Sequence, residues 1–244
     1  MLLAKAQGAI AASAIAPFTF LGTDSWAKLG LGLLRTVISA RWSALWHKLN
    51  LPVPKPTVLS GLCDRYSEPQ RAYHTLQHLI ECLDWCDQTG DLAENSAVVE
   101  LALWFHDAVY ETHRADNEQQ SADLAVQVID SVGGEDLLQR SVHDLILATK
   151  HDAIPSTVDM GLVVDIDLAV LGAEVDRFAQ YDAQIRQEYA WVPEDVFCQK
   201  RAEILQSFLN RPAIFTTNFF QERLEHQAQR NLHRSLTVLM KGSG

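Results

Sequence analysis

Ser96-Ala97-Val98-Val99-Glu100-Leu101-Ala102-Leu103-Trp104-Phe105-His106-Asp107 is the stretch on which the fold turns. Between Val98 and Phe105 only Glu100 is polar, which predicts an apolar helix, opened by Ser96 and running over 96–110. Outward from it the pattern stays helical. Apolar residues recur at spacings of three and four at Leu29, Leu33 and Val37, at Leu76, Leu79, Ile80 and Leu83, at Leu124 and Val128, and at Phe178, Tyr181 and Ile185. Twelve glycines and eight prolines in 244 residues fall below usual usage (about 7% and 5%), and no convincing run alternates as a strand would. Start signals stand at Thr75, at Asp116 with Gln119 as a capping box, and at Pro193 as a first helical residue. Stops stand at Gly90, Gly133-Gly134 and Gly172. The predicted helices are 24–49, 57–66, 75–89, 96–110, 116–132, 135–151, 159–171, 174–190, 193–209 and 216–239. That is one all-α bundle of about ten helices over 24–240, with residues 1–23 as an N-terminal extension.

Composition narrows the function. With 31 acidic against 20 basic residues the net charge is −11, and 48% of the chain is hydrophobic. Such a chain folds, and it lacks the clustered Lys and Arg needed to grip nucleic acid or an anionic membrane without sequence preference. A nucleotide-sized ligand held through a metal remains compatible with it. Cys63, Cys82, Cys86 and Cys198 contain no CxxC pair and read as reduced core thiols, which suggests a cytoplasmic protein. Ala6 to Thr23 carries no charge, but Lys5 alone in front of it and Pro17 within it read as a loosely packed leader rather than a secretion signal or a spanning helix.

The chemistry begins with His-Asp pairs, of which chance predicts roughly 0.7 and the chain has three. His143-Asp144 and His151-Asp152 lie among polar neighbours. His106-Asp107 ends the apolar helix, where an ionised carboxylate is costly unless paired or bound to a cation. Two further segments supply convergent groups. Tyr73-His74-Thr75-Leu76-Gln77-His78 brings His74 and His78, the latter in the first turn of an amphipathic helix, and Val163-Val164-Asp165-Ile166-Asp167-Leu168 brings two aspartates into an apolar run. Two imidazoles and two carboxylates would neutralise a divalent ion and leave about two of six octahedral positions open for a water and a substrate oxygen.

The ordered set His78, His106-Asp107, Asp167 resembles the signature of the HD superfamily of metal-dependent phosphohydrolases. More narrowly, the chain resembles bacterial proteins described as predicted HD phosphohydrolases. That likeness rests on Tyr73 to His78, Trp104-Phe105-His106-Asp107-Ala108-Val109-Tyr110, Asp116-Asn117-Glu118, Asp165-Ile166-Asp167-Leu168 with Leu171-Gly172, and Glu188-Tyr189-Ala190-Trp191-Val192, and it spans about Trp42 to Leu236. The resemblance implies an HD-type helical bundle with one divalent ion (Mn, Mg, Co, Fe, Ni or Zn) on His78, His106, Asp107 and Asp167. Asp165 is then a partner of the ligands rather than a ligand. A second metal would draw on His143 and His151, eight residues apart and so on one helix face.

Around that ion, Glu111 sits four residues after Asp107 and is the candidate for proton transfer, with Glu118 beside it. Arg71, His74, Lys150 and His151 are candidates for phosphate oxygens. Trp104 and Trp191 are expected in the core, and Arg186 with Glu188 and Arg223 with Glu225 as surface or inter-helix pairs. The expected activity is hydrolysis of a small phosphate ester, with a nucleotide among the candidates. A nucleotide-sensing module without turnover and an oxygen-using diiron enzyme are the competing readings.

Overall fold

The run from Val98 to Phe105 lies at the centre of the molecule with every residue buried, Glu100 included. The computed structural model describes residues 31–242. In chain order the helices are α1 (Leu31–Lys48), α2 (Pro56–Arg65), α3 (Leu76–Thr89), α4 (Ser96–Phe105), α5 (Asn117–Ser131), α6 (Asp136–Ala148), α7 (Val158–Asp167), α8 (Val175–Glu188) and α9 (Glu194–Leu209). A short turn, Asn218–Phe220, and a π-helical turn, Gln221–Glu225, lead into α10 (His226–Gly242). Among the described residues there is no strand, and no helix is long and apolar enough to cross a membrane. The 1–23 extension and the start of the 24–49 helix lie outside the described residues.

Helix α4 packs against α1, α3, α5, α6 and α7, so one continuous core surrounds it. Trp42, Trp46 and Trp104 meet edge to face there, with centroids 5.3 and 5.1 Å from Trp42. Cys82, Cys86 and Cys198 are buried and Cys63 is half-buried, all as free thiols. The buried Glu100 is answered by Arg41 of α1, whose Nε donates to Oε1 at 2.8 Å while Nη1 and Nη2 hold both Asp87 oxygens at 2.8 Å. One guanidinium thus ties α1 to α3 and α4.

Helix ends differ from expectation where a side chain outcompetes the local signal. The 96–110 helix stops at Phe105, because Arg71 takes the carbonyls of Asp107 and Ala108 at 2.7 and 3.2 Å and turns the chain away. Asn95, not Ser96, caps its start. The Asp116/Gln119 box does not form. Arg114 holds both Asp116 oxygens, at 2.8 and 2.6 Å, and the Gln119 amide turns to Asp123 and His143. Pro193 caps α9 from one residue outside. Thr75 does cap α3, accepting from the Gln77 N–H.

Glycine is required at Gly172, which ends a 3₁₀ turn, Leu168–Gly172, laid against the π-helical turn. A Cβ there would sit 2.5 Å from Leu224 Cβ and 2.9 Å from its carbonyl oxygen.

Arg41→Ala leaves Glu100 buried and partnered only by distant Lys48, at 3.8 Å. The variant is expected to lose about 3 kcal/mol or more of stability in urea denaturation, and a loss below about 1 kcal/mol refutes this role.

Candidate metal centre

Three helix ends meet beside α4. His78 comes from the first turn of α3, His106 stands at the C-terminal end of α4 with Asp107 directly after it, and Asp167 is the last residue of α7. His106 Nδ1 lies 2.8 Å from the Leu103 carbonyl, which only accepts, so Nδ1 carries a proton and Nε2 faces inward. His106 Nε2 is 3.1 Å from His78 Nε2, 3.0 Å from Asp107 Oδ2 and 3.5 Å from Asp167 Oδ1. His78 Nε2 is 3.4 and 3.2 Å from the same two oxygens.

Donors around an ion with bonds of about 2.0–2.2 Å stand roughly 2.9–3.5 Å apart, from octahedral neighbours to tetrahedral ones. All five spacings fall in that interval. Asp107 Oδ2 is, in addition, buried with no hydrogen-bond partner among the described residues. The donor set therefore fits a divalent ion held by His78, His106, Asp107 and Asp167.

Cys82 adds a thiol that sequence reasoning placed in the core. Its Sγ belongs with His78, His106 and Asp167 to a group whose ligand atoms all lie within 4.8 Å of one another, a buried group that could hold a metal ion. Sγ is 3.7 Å from both Nδ1 and Nε2 of His78. Equidistance puts it against the imidazole rather than beyond Nε2, so Asp107 is the better-aimed fourth donor.

Electrostatics agree with a cation site. Burial opposes charge on His78, but Cys82, Tyr73 and the carboxylates of Asp107 and Asp167 hold its pKa well above the usual histidine range. Burial likewise opposes charge on His106, and Asp107 outweighs it. Burial raises Asp107 and Asp167, yet the neighbouring imidazoles hold both well below the usual carboxylate range. A pocket that favours positive charge in this way suits a cation, and metal uptake would compete with protons for it.

The imidazoles are sealed, 2% and 1% exposed, while both aspartates line a cavity of about 720 Å³. His74, Glu118, Lys150 and His151 line the same cavity. His151 Nε2 lies 2.9 Å from Asp167 Oδ2. His151 and His143 do not share a helix face, because α6 ends at Ala148 and His151 follows with positive φ, while His143 turns to Gln119 and Asp123.

Four expectations fail here for identifiable reasons. Glu111 is exposed and sits in a loop, since α4 ended six residues earlier, and its carboxylate meets only Gln70, at 3.4 Å. Arg71 is fully buried and spends its guanidinium on Glu68 and on the carbonyls of His74, Asp107 and Ala108, so it positions loops and touches no substrate. Asp165 faces away from the centre, two helical residues and about 200° from Asp167. It caps the start of the Asn218–Phe220 turn, taking the N–H and hydroxyl of Thr216 at 2.7 and 3.0 Å and those of Thr217 at 2.7 and 2.6 Å. Trp191 is 52% exposed at the cavity mouth, where its Nε1 donates to Thr112 and its ring stacks on His113.

Glu188 is the group that sequence reasoning placed wrongly. It pairs with no Arg186, which goes to Glu194. Its buried Oε1 accepts the N–H groups of Ala72, Tyr73 and His74 at 2.8, 2.8 and 3.0 Å, and Oε2 meets His74 Nδ1 at 2.7 Å and Tyr110 OH at 3.1 Å. It thereby fixes the loop that carries His74 and leads into His78. Ile185 precedes Glu188 by three, extending the Phe178-Tyr181-Ile185 spacing, and that periodicity was the available signal. Arg223 and Glu225 do not pair either, since Glu225 takes the Ile214 and Phe215 N–H groups.

Asp107→Ala is expected to strip the ion, measured by elemental analysis, whereas Asp165→Ala keeps the stoichiometry and loses about 2–4 kcal/mol of stability through the orphaned Thr216 and Thr217 groups. The reverse pattern would overturn both assignments. Burial alone would raise the Glu188 pKa, but the bonds from His74 and the backbone hold it at about 2. A lowered carboxylate pKa stabilises the fold above the unfolded value near 4.5 and loses that stabilisation as pH falls toward 2, here roughly 3 kcal/mol. Glu188→Gln should therefore flatten the acid limb of the stability curve, and an unchanged limb rules the hub out. Comparison with protein-family models, curated proteins and solved structures finds no match, so the assignment of this centre rests on its own geometry.

Proposed function

We propose that the chain is a metal-dependent phosphohydrolase acting on a small phosphate ester. The observation that carries this reading is the convergence of four donor atoms, 3.0–3.5 Å apart in the measured pairs, at the floor of a cavity that also presents cations. The resemblance of its ordered motifs to those of HD phosphohydrolases supports it. A divalent ion held there supplies Lewis acidity toward a phosphoryl oxygen and toward water.

The chain's own groups supply the rest. Two aspartates and two neutral imidazoles cancel a divalent charge, so an incoming phosphate monoester needs further positive partners. Lys150, exposed on the cavity wall, is the cation for the phosphate oxygens, since Arg71 is spent on carbonyls. His151 donates its Nε2 proton to Asp167 and keeps that carboxylate aimed. Glu118, on the cavity wall where Glu111 is not, holds and passes the proton.

The test is phosphate release from a broad panel of esters by metal-reconstituted protein, with metal content measured alongside. Lys150→Ala is expected to lower kcat/KM at least about tenfold with metal retained. Binding of a nucleotide in calorimetry with no release from any ester would replace this reading by a sensor. Two irons per chain with a visible absorption band would replace it by the oxygenase.

A further inference from the structure

The cavity above Asp107 and Asp167 is larger and more apolar than a phosphoryl group requires. About 720 Å³ lies within the range of roughly 300–1,000 Å³ typical of sites that enclose a whole small molecule. One wall is a face of α9, where Val196, Phe197, Lys200, Arg201, Ile204 and Phe208 follow the three-four spacing and all line the space, with the Phe208 ring 6.1 Å from that of His151. That apolar stripe is shared between the core and the cavity. Val196 and Ile204 stay 44% and 49% exposed, and with Trp191 at the mouth they leave water against surface of the kind proteins usually cover.

The polar heads along this wall are already engaged. Arg201 is held by Asp182 at 3.0 Å and lies over the Tyr181 ring, Lys200 pairs with Glu203 at 2.8 Å, and the Trp191 N–H goes to Thr112. A nucleobase needs donors and acceptors aimed at its edges, and along α9 it would meet mainly aliphatic and aromatic side chains. A hydrocarbon needs none.

We infer that the alcohol half of the substrate is an extended apolar group, such as an alkyl or isoprenoid chain, so that the substrate is an amphipathic phosphate monoester and not a nucleotide. This rests on the phosphohydrolase reading above. In the reaction the oxygen of water bonds to phosphorus, the bond from phosphorus to the ester oxygen breaks, and its electron pair leaves on that oxygen. One proton of the water ends on the departing oxygen and the other remains with the phosphate. The products are an apolar alcohol and inorganic phosphate, with no oxidant or reductant involved.

Alkylphosphonates separate the two layers of the argument, because their P–C bond resists hydrolysis. Calorimetry of methyl-, butyl- and decylphosphonate with the full chain, metal-loaded and metal-free, is expected to show affinity rising about fourfold per added methylene until the cavity is filled. The heat capacity of binding should become more negative with chain length. Val196→Asp and Ile204→Asp, both at half-exposed positions and each checked by thermal melting, should each lower decylphosphonate affinity at least tenfold. The chain-length series on the unaltered protein needs neither variant. Affinity independent of chain length, or a nucleoside monophosphate bound more tightly than decylphosphonate, overturns the inference. Chain-length dependence without phosphate release from any alkyl ester supports the apolar pocket and removes the hydrolase reading. Release from nucleotides with no chain-length dependence does the opposite.

Discussion

Two imidazole nitrogens sealed from water and two carboxylates at the edge of a cavity crowd together, and the rest of the molecule is arranged around holding them there. Such a group is tolerable only with positive charge at its centre, because buried carboxylates and opposed lone pairs repel at these distances. The surroundings favour positive charge on the imidazoles, and the spacing of the donor atoms matches that around a divalent ion. Each donor lies at or just beyond a helix end, where a local hydrogen bond can aim the side chain. Thr75 starts α3 three residues before His78, the Leu103 carbonyl orients His106, and Asp167 closes α7.

Around this centre two buried charges of opposite sign hold the loops by opposite halves of the peptide group. Arg71 collects carbonyls from His74, Asp107 and Ala108 while its guanidinium rests 5.3 and 5.6 Å from the Tyr66 and Tyr110 rings. Glu188 collects the N–H groups of Ala72, Tyr73 and His74. Between them the 71–75 segment is gripped on both faces and tied to the turn after Asp107, which gives the aspartate a defined position although it lies outside any helix. Removing either charge leaves several peptide groups buried without partners, a cost that exceeds the loss of one surface ion pair.

The architecture was legible because helical periodicity and low glycine and proline content repeat along the chain, and the meeting of His78, His106 and Asp167 in one buried group because a polar group in an apolar run demands a partner. What failed were inferences that took nearness in sequence for nearness in space. Glu111 belongs over the centre only if α4 continues past Phe105, and the competing claim of Arg71 on the carbonyls ends it. Asp165 and Asp167 look equivalent in sequence, yet one helical step of two residues sends them to opposite sides. Arg71 flanks a motif and carries the right charge, but that charge is consumed. Glu188 was readable in principle from its spacing behind Ile185. The cavity face of α9 was not, because a stripe at three-four spacing looks the same whether it meets a core or a ligand.

The net charge of −11 bears on how an anionic ligand would be held. Mean charge of one sign repels an approaching phosphate, although screening confines that repulsion to about 8 Å at physiological salt. Attraction must therefore be short-ranged and local. Within the cavity the cation closest to being free is Lys150, since Arg201 and Lys200 are both paired with acids. Apolar surface supplies binding that net charge does not oppose and salt does not screen. A site with few uncommitted cations and an aliphatic wall thus gains most from a ligand that sets its charge beside Lys150 and its hydrocarbon against α9.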